Sequence, residues 1–157
     1  MTYHNMKQVI SIILILVSLN SFGQYKRNLD NKDIYVSLAI MTSSVILGGV
    51  GDGFNDNGMK PLGHSLNALS IVPLLIAPFV LDISDYKWAS YILSYTFIRF
   101  ALYDAGYNIT RGLPLAYLGN SSLYDRALRS TKSPDSWIIG MKSLSLVVGF
   151  SIPIRYY

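Results

Sequence analysis

The side chains best suited to chemistry in this 157-residue chain gather in one stretch, Gly48 to His64, G-G-V-G-D-G-F-N-D-N-G-M-K-P-L-G-H. It carries two carboxylates, Asp52 and Asp56, together with Asn55, Lys60 and His64. A second polar set follows at Arg99, Asp104, Asn108, Arg111 and Lys142. Carboxylates and cations in this mixture suit a pocket for a lipid headgroup, a small ion or a small anion. They equally suit mutual neutralisation, in which Asp52, Asp56 or Asp104 pairs with Arg99 and Lys142, or the cations reach outward to water. No catalytic nucleophile, metal site or cofactor is expected. With no cysteine in the chain, disulfides, thiolate metal sites, Cys nucleophiles and cysteine lipid anchors are excluded.

Sharper motifs fail residue by residue. Gly49-Val50-Gly51 begins a dinucleotide fingerprint, but Phe54 stands where a third glycine must let helix and strand approach. Gly53 and Gly58 have phosphate-loop spacing, yet Met59 replaces the phosphate-binding lysine. A calcium loop starting at Asp52 would place Phe54, which offers no oxygen, at its second ligand position. Neither Ser65 nor Ser122 has a His/Asp partnership beyond His64. Asn108-Ile109-Thr110 and Asn120-Ser121-Ser122 fit the glycosylation pattern, which arises often by chance.

Lys60-Pro61-Leu62-Gly63-His64-Ser65 resembles the P-S-G-H-S motif of type 2 phosphatidate phosphatases, departing at Leu62. In that family the histidine matching His64 acts as an acid, and a second, later histidine is the nucleophile. Here the other histidine is His4, inside the expected signal segment, so the covalent mechanism cannot run. A broader stretch, Arg99 to Asp125, R-F-A-L-Y-D-A-G-Y-N-I-T-R-G-L-P-L-A-Y-L-G-N-S-S-L-Y-D, taken with G-D-G-F-N-D-N-G and G-H, is similar to a group of small uncharacterised bacterial and phage-associated multi-pass membrane proteins. That resemblance implies a membrane location and adds no function.

The elements that must position these residues are apolar. The chain is 51% hydrophobic and 14% charged, against about 25% charged in ordinary soluble domains. Its twelve tyrosines and two tryptophans suit a membrane–water boundary. The net charge of +4 is scattered without Lys/Arg runs, so nucleic acid is not an expected partner. Residues 1–23 read as a signal peptide or uncleaved anchor: Lys7, an apolar run Val9–Leu19, then Ser21-Phe22-Gly23. Residues 24–157 then form one helical membrane domain, with a long polar loop at 104–136.

Four apolar runs follow the leader: Ile34–Gly51, Leu66–Leu81, Trp88–Tyr103 and Trp137–Pro153. Each approaches the roughly 17–25 residues a membrane helix needs. The expected fold is therefore all-α, a transmembrane bundle of about four spans in an inner membrane, which the resemblance above implies is bacterial, with the lipid bilayer and other membrane subunits as partners. Pro73 and Pro78 should kink or break the second run. Gly48, Gly49, Ser90, Ser94, Gly140 and Gly149 would let helices approach. Leu123–Ser130 reads as a short amphipathic helix on the membrane surface.

Threading brings 52–65 and 104–136 to one face, cytoplasmic if 25–33 is exported. Lys60, Arg111, Arg126, Arg129 and Lys132 then oppose Lys26, Arg27, Lys32, Lys87 and Arg155, so loop charge chooses no orientation. An outer-membrane barrel competes through the alternation Leu144, Leu146, Val148, Phe150, Ile152, Ile154, but one strand does not make a barrel. Two functions follow: a structural, accessory or ligand-binding membrane component, or a membrane-embedded enzyme or carrier for a phosphorylated lipid headgroup or small ion.

Overall fold

A computed structural model describes residues 31–81, 87–119 and 123–156. The expected leader at 1–23 lies outside the described residues, as do the 82–86 connection and the pattern at 120–122. Among the described residues five helices follow in order: α1 Asn31–Asp56, α2 Lys60–Val80, α3 Lys87–Thr110, α4 Leu123–Arg129 and α5 Pro134–Tyr156. There is no strand among the described residues, and the alternating 144–154 segment lies on α5. The fold is an all-α helical membrane bundle. At about 1.5 Å per residue the four long helices measure roughly 31 to 39 Å, enough for a hydrocarbon core of about 30 Å.

Of the four, α1, α2 and α5 are long and apolar enough to cross a membrane by composition. The fourth, α3, carries Arg99 and Asp104, which dilute its apolar character, and it packs against α1 on one side and α5 on the other. In space the helices run α2, α1, α3, α5, and α4 packs on α5. Met41, Val45, Tyr91 and Ile98 are buried where α1 meets α3, with Ala77 and Leu81 closing the core from α2 and Phe150 from α5. By contrast α2 buries only Gly63 and Ala77; Leu69, Val72, Leu75, Ile76 and Phe79 face outward, as a lipid-contacting helix should.

The helix ends explain the topology. At the end of α1, Met59 N–H donates to Phe54 C=O at 3.0 Å and Gly58 N–H to Asn55 C=O at 3.1 Å. Gly58 takes a φ of +85°, which an L side chain resists. The end of α3 repeats this pattern: Leu113 to Asn108 at 2.8 Å, Gly112 to Ile109 at 3.0 Å, and Gly112 at φ +66°. Both are Schellman terminations, which satisfy carbonyls the last turn would otherwise orphan. Only Asn57, Gly58 and Met59 separate α1 from α2, so Asp52, Asn55 and Asp56 sit on the end of α1, and Lys60 and His64 on the start of α2. Asp104 and Asn108 likewise lie on α3. Pro73 and Pro78 do not divide α2, which runs unbroken through both although each lacks an N–H for the ladder.

Glycines set the spacing between helices. A Cβ on Gly49 would strike the backbone oxygen of Tyr103, and one on Gly53 would come 2.7 Å from Thr110 Cβ. Gly106 answers from α3, 3.1 Å from Ile46 O by the same construction. Gly51 and Gly63 face each other across α1 and α2. The glycine run that fails as a nucleotide fingerprint is therefore a packing device, with Gly49-x-x-x-Gly53 turned to α3 and Gly51 to α2. At the α3–α5 contact, Ser94 Oγ donates to Gly149 C=O at 2.6 Å.

Candidate functional site

The helix ends at residues 56 and 110 meet, because α1 and α3 run parallel. Asn57 Nδ2 donates to Thr110 C=O at 2.9 Å, tying one terminus to the other. Along this contact α1 presents Asp52 and Asp56, one turn apart. In the facing stripe α3 presents Arg99, Tyr103 and Tyr107, and Arg111 follows just past its end, each four residues from the next. The i, i+4 spacing places each stripe on a single helix face.

Two similar polar sets result. In the first, Tyr103 donates its phenolic hydrogen to Asp52 Oδ2, and Asn67 Nδ2 of α2 donates to Asp52 Oδ1 at 2.6 Å. The Arg99 guanidinium stacks 4.2 Å from the Tyr103 ring centroid. One turn further, Tyr107 donates to Asp56 Oδ2, and Arg111 meets the same oxygen at 3.0 Å. Arg111 also donates to the Tyr107 oxygen at 3.2 Å, with its guanidinium 5.7 Å from the ring. Its charge lies where the negative ends of two parallel helices and a carboxylate converge, a favourable place for a cation.

Tyr107 lies beyond the apolar part of α3. Its hydroxyl is held above the ordinary tyrosine range, first by donating to the Asp56 carboxylate and then by partial burial. Ionising the phenol would lose that bond and set two negative charges side by side.

The third contact joins α3 to α5. Lys142 Nζ lies 2.8 Å from Asp104 Oδ2; the lysine side chain is 12% exposed and the carboxylate 51%. Arg99 thus takes an aromatic face rather than a carboxylate, and Asp104 serves Lys142. Asn108 is buried on α3, where its amide reaches Leu115 C=O at 3.3 Å and Tyr117 C=O at 3.5 Å, folding the turn after α3 back on the helix.

The ten sequence candidates therefore divide. Asp52, Asp56, Arg99 and Arg111 join the α1–α3 seam; Asp104 and Lys142 form a separate pair; Asn108 secures a turn. Asn55 Oδ1 is buried against Gly63 without a hydrogen-bond partner. Lys60 and His64 are exposed on the first turns of α2. Sequence reasoning missed Tyr103, Tyr107, Asn57 and Asn67, whose signal was the four-residue spacing of Arg99, Tyr103, Tyr107 and Arg111. Among the described residues no three His, Cys, Asp or Glu side chains are grouped to hold a metal ion.

No family model matches the chain, and no solved structure matches it. The chain is 32% identical over 114 residues to phospho-N-acetylmuramoyl-pentapeptide-transferase of Anaplasma marginale (strain Florida). The matched region is 73% of this chain but 31% of the relative, so the chain spans about a third of that protein's length.

Proposed function

We propose that this protein is a multi-pass component of a bacterial inner membrane, a structural, accessory or ligand-binding subunit whose ionisable side chains lock its helices together. One observation carries the reading: Asp52, Asp56 and Asp104 are each bonded to a side chain on another helix or just beyond its end. Groups already partnered across helix seams act first as scaffold, since removing one partner costs the other its bond between helices.

Thermal unfolding of the full chain in mild detergent tests it. Asp56→Asn and Arg111→Gln should each lower the midpoint, and the double variant should cost little more than either alone. An Asp56→Asn variant of unchanged stability that loses ligand binding would sink the scaffold role. Purification from native membranes tests the accessory role: companion proteins should co-migrate, whereas a monodisperse monomer without partners argues against it.

The similarity to the transferase favours a second reading, a membrane-embedded enzyme or carrier acting on a phosphorylated lipid headgroup or small ion. Its contacts would lie at the α1–α2 turn, where Lys60 and His64 are exposed. Saturable binding of inorganic phosphate to the reconstituted chain, lost in Lys60→Gln/His64→Ala without a change in unfolding, would favour this reading over the first.

A further inference from the structure

Between α3 and α5 the chain builds a small shelf at the face where α1 and α3 end. Leu118, Leu128 and Ile138 form its own core, with Ala116 packed against them. Arg129 donates to Leu118 C=O, and the Asp125 carboxylate lies against Gly119, so the shelf is tied down from inside.

Its outer side is unlike the interior. Leu115 is 59% exposed, Leu123 79% and Trp137 57%. Arg126 and Lys132 are exposed beside them. On α4, Leu123, Arg126, Ala127 and the following Ser130 stand at i, i+3, i+4 and i+7, all of them exposed, so apolar and cationic groups share one outward stripe. The cations of the shelf are Arg126, Arg129 and Lys132; its carboxylates are Asp125, turned inward, and Asp135, in the first turn of α5. The outward charge is therefore positive.

Position decides what covers this surface. The shelf connects the end of α3 to the start of α5, and because α5 is long and apolar enough to cross a membrane, a bilayer around the bundle would have its boundary at this shelf. There a tryptophan ring finds both apolar and wet surroundings, and leucines find acyl chains. We infer that the shelf formed by residues 113–119 and 123–137 is an interfacial docking surface for anionic phospholipid headgroups, with Arg126 and Lys132 facing the phosphates and Leu115, Leu123 and Trp137 inserted among the upper acyl carbons. Each cation held near an anionic surface strengthens association roughly fivefold.

The chain's two tryptophans make the test direct. A full-length Trp88→Phe variant, reconstituted in phosphatidylcholine vesicles, leaves Trp137 as the reporter. Brominated phosphatidylglycerol and brominated phosphatidylcholine are added at equal mole fraction. Trp137 should be quenched more by the anionic lipid, most strongly with bromines near the carbonyl end of the acyl chain. Arg126→Gln/Lys132→Gln should reduce the anionic excess to the zwitterionic level, and Arg126→Lys/Lys132→Arg should restore it. Equal quenching by the two lipids in the Trp88→Phe chain overturns the inference, as does an excess that survives removal of both charges. Quenching by neither lipid overturns it too, and points to a protein partner on the shelf.

Discussion

Tyr103 gives its phenolic hydrogen to Asp52 across the parallel α1–α3 seam, while Asn67 of α2 supplies the second donor to that carboxylate. One acidic side chain thereby joins three helices. Tyr103→Phe keeps the ring beneath Arg99 and deletes only the donor. It should lower stability by about 1.5–3 kcal/mol, the usual worth of a hydrogen bond to a charged group. Unfolding in a detergent series measures the change, and a wild-type midpoint would show that Asp52 does not depend on this bond.

Neighbouring glycines separate packing from composition. A Cβ on Gly48 would lie 3.4 Å from a Tyr103 ring atom and 3.6 Å from Ser70 Oγ, both ordinary van der Waals contacts. At Gly49 the obstacle is the Tyr103 backbone oxygen, which cannot move without α3. Gly48→Ala should therefore be nearly neutral, gaining a little from its better helix propensity. Gly49→Ala should destabilise by roughly 1–3 kcal/mol, as overpacking does. Equal midpoints for the two variants would remove the close α1–α3 approach from the account.

Much of this architecture was legible from residue types. Apolar length and sparse charge pointed to membrane helices, and simple threading put residues 52–64 on the same face as 104–111. Partner choice was harder to read. Tyr103 and Tyr107 resembled interfacial aromatics, because nothing local marks a phenol that will meet a carboxylate on another helix. Asn108 resembled a loop residue because Gly106 and Gly112 bracket it, yet only Gly112 adopts a positive φ and ends the helix. Pro73 and Pro78 overstated the break in α2 because two missing N–H groups do not outweigh a helix otherwise fully bonded in an apolar medium. Gly49 and Gly53 already had the four-residue spacing of a helix-packing motif, visible once the run is placed inside a span.

The raised Tyr107 hydroxyl gives the seam an alkaline limit. Its neutral form is the bonded one, so its contribution is fully present below the ordinary tyrosine value of about 10 and fades as pH rises through the higher folded-state value. Because the bond is exposed to solvent, that contribution should be at most about 1 kcal/mol. Wild type should exceed Tyr107→Phe in stability at pH 8, and the gap should close above pH 10. Unfolding midpoints of both proteins from pH 8 to 11.5 decide it, and a constant gap would mean that the phenol is not titrating against Asp56.

The Asp104–Lys142 pair has unequal ends, so its two single variants should differ. Lys142 is the enclosed partner and Asp104 the half-exposed one. Asp104→Asn leaves an ammonium between α3 and α5 with only an amide to face, and should cost about 2–3 kcal/mol. Lys142→Met instead leaves a carboxylate that retains access to water and puts an apolar side chain in an apolar seam, so its cost should be below about 1 kcal/mol. Asp104→Asn/Lys142→Met should recover most of the loss of Asp104→Asn, because the stranded charge is gone. A double-mutant cycle on unfolding free energies measures the coupling. Strict additivity, with the double variant as unstable as both losses summed, would show that the lysine finds another partner and that this pair does not hold α5 to the bundle.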